Sequence, residues 1–319
     1  MKHPYRIREI ARQAGLSEAT VDRVLHHRGG VRESTAREIH QAIAALDRER
    51  AQARLAGPVY PIDVVCPGPP RFTAAVRHAI EAELPDLRPA VLKPRFHFGD
   101  ADPAAVLDRI GRSHSQGVIL NAADTPEVVE AVGRLAMPVV TLGADLPASK
   151  RVAYVGIDHA DAGATAAYLV EQWLADRAGD VLLARSAQPD LGEFERAAGF
   201  RAEMTARAPN RRLVEGPAPG SLSVRAIYSP AAGGNASVVG SFAAEHRNYD
   251  VFVAHDLDAE NAALLRGHQL SAVLHHDLRA DVRHACLTIL RALGALPGPI
   301  RSYPATLQVI TPFNLPQDF

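Results

Sequence analysis

Ile7–Leu25, IREIARQAGLSEATVDRVL, is the stretch whose reading decides the fold of the chain. Ile7, Ile10, Ala11 and Ala14 fall at i, i+3, i+4 and i+7, one apolar stripe of a helix that Gly15 stops. Ser17 is a good N-cap for a second short helix turning Val21, Val24 and Leu25 inward, and the run His26-His27-Arg28-Gly29-Gly30 ends it. Two helices joined through Ala14-Gly15-Leu16 have the spacing that lets the second lie in a DNA major groove while the first crosses the backbone.

Outward from this pair, a third helix is marked by Ala36, Ile39, Ile43 and Leu46, with Glu33 suited to its positive end. Charged Asp47-Arg48-Glu49-Arg50 then leads into a short helix-compatible stretch, Ala51–Ala56, closed by Gly57-Pro58. From Ile62 the pattern changes to short apolar runs alternating with amphipathic helices. The first are Ile62–Cys66 and a helix around Thr73–Leu84. Further strands are expected at Val91–Phe98, Gly117–Asn121, Val139–Leu142, Val152–Ile157, Asp180–Ala184, Val224–Tyr228, Asp250–Ala254 and Ala272–Leu274. Alternation of this kind implies an α/β fold with parallel sheets covered by helices.

Composition sets the outer bounds. With 319 residues, 47% of them hydrophobic, the chain can bury a large core in two or three domains. Its 35 basic and 36 acidic residues nearly cancel, but residues 1–57 carry a net +4 and the remainder a net −5. A basic arm on a mildly acidic body is what a nucleic-acid-contacting segment produces. Two cysteines, Cys66 and Cys286, far apart and outside any metal-ligand spacing, indicate neither a disulfide framework nor a zinc site, and a reducing compartment fits. No signal-peptide pattern and no run of about 18 apolar residues is present, so a cytoplasmic protein without membrane association is expected.

The N-terminal fifty residues, from IREIARQAGLSEATVDRVL through GVRESTAREI, closely resemble the headpiece of the LacI/GalR (lac repressor) family. That resemblance implies a recognition helix whose start and exposed face hold Ser17, Glu18, Ala19, Thr20 and Arg23. The residue types suit base reading. Arg23 can fork onto guanine, Ala19 can meet a thymine methyl, Glu18 can accept from cytosine, and Ser17 and Thr20 can reach phosphate or base. Glu18 and Arg23 could also be plain solvated charges. His27 and Arg28 either touch phosphates or end the helix. By the same resemblance Leu55 in Arg54-Leu55-Ala56-Gly57 matches an apolar wedge that opens a minor-groove step, the alternative being that it packs on the body of the protein. The family's usual Tyr-x-Pro-Asn ahead of the hinge is replaced here by Asp47-Arg48-Glu49-Arg50.

Residues from about 60 to 311 resemble the two-lobed periplasmic sugar-binding-protein fold that this family uses as a sensor. The marks are Pro138–Asp145, Tyr154–Gly163, Glu195–Phe200, Tyr228–Asn235 and Val251–Asp256, in that order. The domain expectation is a headpiece at 1–48, a hinge helix at 49–58 and a two-lobed effector-binding and dimerisation domain at 59–319. In open α/β lobes ligands bind beyond the carboxyl ends of the strands, which places Phe72, Asn121, Asp145, Asp158, Asn235, Asp256 and Asp277 around one cleft. The resemblance adds Arg196 as the guanidinium that grips ligand oxygens, Asp145, Asp256 and Asp277 as carboxylate partners and Phe72 as a stacking ring. Asp158 and Asp256 could instead be helix N-caps, and Arg196 could pair with Glu193 on its own helix. His255, His275 and His276 lie near the same strand ends without metal-ligand spacing.

The resulting expectation is a sugar- or polyol-controlled transcriptional repressor, a homodimer or dimer-paired tetramer on a pseudo-palindromic duplex, with no cofactor and no metal. A transport binding protein would share the sensor but lacks the headpiece. An enzyme of sugar metabolism would need a nucleophile elbow, phosphate loop or metal motif that the chain does not show.

Overall fold

The computed structural model describes residues 5–26, 28–55, 57–99, 101–216 and 223–316, with the backbone alone for 48–55. The chain divides into two compact units, one running through Val59 and including Arg88–Val91, the other formed by the rest.

The first unit is helical: α1 (Ile7–Ala14), α2 (Glu18–Leu25) and α3 (Glu33–Leu55). Glu9 closes the first turn of α1 by accepting from the Arg6 N–H at 2.8 Å, and Gly15 ends the helix at φ +66°, a conformation a side chain would disfavour. Ile10, Ala11, Val21 and Ile39 form its core, with Leu16, Val24, Leu25, Ile43 and Leu46 packed around them. The Tyr5 hydroxyl donates to Asp47 at 2.7 Å. Sequence reading separates a third helix from a short hinge helix at Asp47–Arg50, but α3 is one continuous helix of 23 residues. Charge alone does not break a helix, and Glu33–Leu55 holds neither glycine nor proline.

The second unit has two lobes. Lobe 1 uses β1 (Val59–Val65), α4 (Pro70–Glu83), β2 (Val91–His97), α5 (Pro103–Ile110), β3 (Gly117–Leu120), α6 (Pro126–Arg134), β4 (Val139–Leu142) and β5 (Ala153–Gly156). Lobe 2 follows with α7 (His159–Leu174), β6 (Asp180–Ala184), α8 (Leu191–Arg207), β7 (Leu213–Gly216), β8 (Val224–Ser229), α9 (Asn235–Ala244), β9 (Val251–His255), α10 (Ala259–Arg266) and β10 (Ala272–His275). The chain then recrosses: α11 (Leu278–Ala292) packs on α4, β4 and β5, β11 (Tyr303–Pro304) pairs with β5, and β12 (Gln308–Ile310) returns to β10. Each lobe thus holds a six-stranded sheet, ordered β11-β5-β4-β3-β1-β2 and β12-β10-β9-β8-β6-β7.

Strands β3, β4 and β6 are buried along their whole length, because helices cover both faces of each sheet. The expected strands all form, with ends shifted by a residue or a few. Three more are added: β7, β11 and β12, the last antiparallel to β10 in an otherwise parallel sheet. In lobe 2, α7 and α8 cross where neither helix has a side chain. A Cβ on Gly163 would overlap the Arg196 carbonyl, and one on Gly199 the Ala160 carbonyl. This crossing seats Arg196 on the inner face of α8. Among the described residues no helix is long and apolar enough to cross a membrane.

Candidate functional site

Between the lobes lies a cavity of about 480 Å³, where loops at the carboxyl ends of both sheets converge. Four of the eight residues expected to contact a ligand line it, Phe72, Asn121, Arg196 and Asp256, and so do His275 and His276. Asn121 is buried and donates to the Leu142 carbonyl at 2.8 Å, which fixes it on the lobe 1 wall.

Arg196 is 2% exposed, yet its guanidinium faces carboxylates and not Glu193. Its Nη1 lies 3.2 Å from Asp256 and its Nη2 3.7 Å from Asp190, the N-cap of α8. Glu193 instead accepts from the N–H and hydroxyl of Ser186 at 3.0 and 2.6 Å. Asp256 follows β9 at φ +59°, in the left-handed region that Asp tolerates better than most side chains, and its carbonyl takes a hydrogen bond from Asn261 at 2.7 Å. His276, in the segment that crosses back to lobe 1, bonds Asp281 at 2.7 Å and sits 4.0 Å from Asp256. The cleft floor is therefore a run of alternating charge, Asp190, Arg196, Asp256, His276 and Asp281, drawn from three segments: α8 with its cap, the turn after β9, and the crossing segment at the start of α11.

These groups set one another's ionisation. Burial is the largest influence on Asp256 and would raise its pKa, but Arg196 first, then His276, His255 and His275, hold it below the usual carboxylate range. Burial opposes charge on His276, yet the hydrogen bond to Asp281 and the nearby carboxylates raise its pKa. His159 moves the other way: burial, then the charge of Arg196, push it down to about 3. Its Nε2 bonds the Gly143 carbonyl at 2.8 Å, which requires the proton to sit on that nitrogen.

The other expected ligand residues are engaged elsewhere. Asp145 accepts from Thr141 and the Leu146 N–H at 3.1 and 2.8 Å and pairs with Arg151, within lobe 1. Asp158 and Asp277 cap α7 and α11. Asn235 is fully buried and donates to Asn261 at 2.8 Å, one step behind the turn that holds Asp256. Sequence reading missed Asp190, His159 and Asp281 as cleft residues. The available signal was that Asp190 directly precedes the helix of Arg196.

On the helical unit, Ser17, Glu18, Ala19 and Arg23 are exposed along one end of α2, with Thr20 half-buried. Ser17 caps the helix, its hydroxyl accepting from the Thr20 N–H at 3.3 Å and meeting the Thr20 hydroxyl at 2.8 Å. Arg28 is exposed and pairs with Asp22 at 3.0 Å. His27 and the side chain of Leu55 lie outside the described residues.

Residues 68–294 match the family described as periplasmic binding protein domain, and residues 6–47 match bacterial regulatory proteins, lacI family. No curated protein matches the chain. Many solved structures share the fold of its larger part, among them the following three. A protein described as a candidate LacI transcriptional regulator from Bacteroides fragilis is 13% identical at TM-score 0.69, over 81% of this chain and 98% of that one. GanP, a glucose-galactose binding protein from Geobacillus stearothermophilus, is 18% identical at 0.66 over 81% and 99%. An ABC transporter solute binding protein from Burkholderia graminis, in complex with D-arabinose, is 16% identical at 0.67 over 81% and 97%.

Proposed function

The chain belongs to the periplasmic binding protein domain family and carries ahead of it the DNA-binding segment of the lacI regulatory proteins, and from this we propose a cytoplasmic, homodimeric repressor whose DNA affinity is set by a sugar or sugar-like effector. The observation that carries the reading is that one chain holds both an exposed Ser17–Arg23 helix face and an interlobe cleft floored by a buried arginine. Arg196 and Asp256 supply donors and acceptors for vicinal hydroxyls, Asn121 a side-chain amide, and Phe72 a ring for an apolar C–H face. The solved relatives that bind glucose, galactose or arabinose support a sugar-like ligand.

In this reading Ser17, Glu18, Ala19, Thr20 and Arg23 read base edges, and His27 and Arg28 reach phosphates. Arg28 would exchange Asp22 for a phosphate on binding. Residues 49–58, the end of α3 and the segment after it, act as the hinge, with Leu55 as the minor-groove wedge. Two headpieces are needed because one alone buries too little surface for selective binding. Effector binding shifts the balance between DNA-competent and released states only through unequal affinity for the two.

Selection of duplexes from a random pool by the full-length protein tests this. A pseudo-palindromic site released on addition of a sugar is the expected result; no preference over random competitor, with or without sugars, would overturn it.

A further inference from the structure

The helix that faces DNA in this reading carries more negative charge than positive: α2 holds Glu18 and Asp22 against Arg23 alone. A duplex presents phosphates on either side of the groove such a helix would enter, so each carboxylate there works against binding unless it has a partner. Glu18 has one in prospect, a cytosine amino group. Asp22 has its partners already, and both are side chains of this protein.

Arg28 donates from Nη1 to Asp22 Oδ2 at 3.0 Å, and His26 Nδ1 lies 3.0 Å from Asp22 Oδ1 and 3.0 Å from the Asp22 carbonyl. The backbone holds this arrangement. The His26 N–H donates to the Asp22 carbonyl at 3.1 Å and the Arg28 N–H to the Arg23 carbonyl at 2.8 Å, which folds the end of α2 back over its last turn. Glu18, Asp22 and His26 follow one another at i, i+4 and i+8, a single row beside the one that carries Ala19 and Arg23. Arg28 and His26 are more than half exposed and Asp22 is about a third exposed, so a phosphate can reach all three. It meets there a guanidinium whose charge a neighbouring carboxylate has cancelled.

We propose that Asp22 stands in for a DNA phosphate and limits how tightly the helical unit holds a duplex. Carboxylate and phosphate compete for the same donors, and the carboxylate, six residues from Arg28 on the same chain, is always at hand. Each phosphate contact is weakened by what the internal pair contributes. On unmatched DNA, where phosphate contacts supply nearly all the attraction, Asp22 keeps Arg28 to itself. The inference rests on α2 being the DNA-facing helix.

Fluorescence anisotropy of the full-length protein on a random-sequence duplex, repeated across a salt series, tests the assignment. Asp22→Asn, nearly isosteric, should bind about threefold to tenfold tighter. The dependence of log affinity on log salt should steepen by about one for each helical unit engaged, the signature of one added phosphate contact. Asp22→Ser should behave alike, and Arg28→Ala placed on Asp22→Asn should return the slope to that of the parent protein. Unchanged or weaker binding by Asp22→Asn, or a steeper slope that survives Arg28→Ala, would overturn the inference and leave the DNA reading standing. A parent protein that binds no duplex even at low salt would overturn the DNA reading itself, and this inference with it.

Discussion

Arg196 and Asp256 meet at 3.2 Å on the cleft floor although 60 residues separate them in sequence, the first from the middle of α8 and the second from the turn after β9. Removing the arginine leaves Asp256 beside imidazoles but without its cation. Breaking such a buried pair typically costs 3–5 kcal/mol, and about 3 kcal/mol is expected for Arg196→Ala because the carboxylate stays partly open to the cleft. Urea unfolding should show that loss, while effector-induced DNA release disappears and binding to the selected duplex persists. Retained effector response would place the binding site elsewhere.

Asp256 itself carries a second expectation. Asn tolerates the left-handed turn at least as well as Asp, so Asp256→Asn should keep the fold but remove the charge that pairs with Arg196. Effector affinity should fall by about tenfold or more, as expected for losing a charge-assisted hydrogen bond. Calorimetry showing unchanged affinity would assign the carboxylate to scaffold alone.

On the helical unit, Arg23→Ala should cost about 1–3 kcal/mol on the selected duplex and little on random DNA, the signature of a base contact. Equal losses on both, measured by fluorescence anisotropy, would make Arg23 a phosphate contact.

The histidines of the cleft predict how stability follows pH. His159 has a folded pKa of about 3, below its unfolded value near 6.5. The unfolded chain therefore binds the proton first, and stability falls as pH drops from about 6.5 toward 3, by up to about 1.4 kcal/mol per unit. His276 is shifted upward, so its contribution is full below about 6.5 and lost as pH rises through its folded value. In His159→Gln the acid-side slope of urea-derived stability should flatten, and in His276→Gln the loss on the alkaline side. Slopes identical to the parent protein would show that neither imidazole titrates as its surroundings dictate.

The parts of this architecture that could be read from sequence are those whose signals are local. Gly15 and Ser17 mark the ends of α1 and α2 because a positive φ and an N-cap each need a particular residue. The fully buried β3, β4 and β6 stand out as short apolar runs. By contrast β11 is two exposed residues, one a proline, and its pairing with β5 depends on the second crossing between the lobes. The continuity of α3 through Asp47–Arg50 is hidden when charge is read as a break.

The cleft follows the same division. Phe72, Asn121, Arg196 and Asp256 were legible through the strand-end rule and the family pattern. Asp145, Asp158 and Asp277 obey the same rule but spend their carboxylates on neighbouring N–H groups, and composition cannot distinguish the two uses. Asp281 reaches the floor only because the crossing segment folds back beside α8, which no linear spacing records.

The bare crossing of α7 and α8 at Gly163 and Gly199 has an evolutionary corollary. Two backbones in direct touch leave no slack for drift, so variants with altered ligand preference should arise at the cavity rim and never by retuning the depth of α8. Selection for a different ligand would then return substitutions among the residues that line the cavity, while any side chain at 163 or 199 would force the two backbones apart.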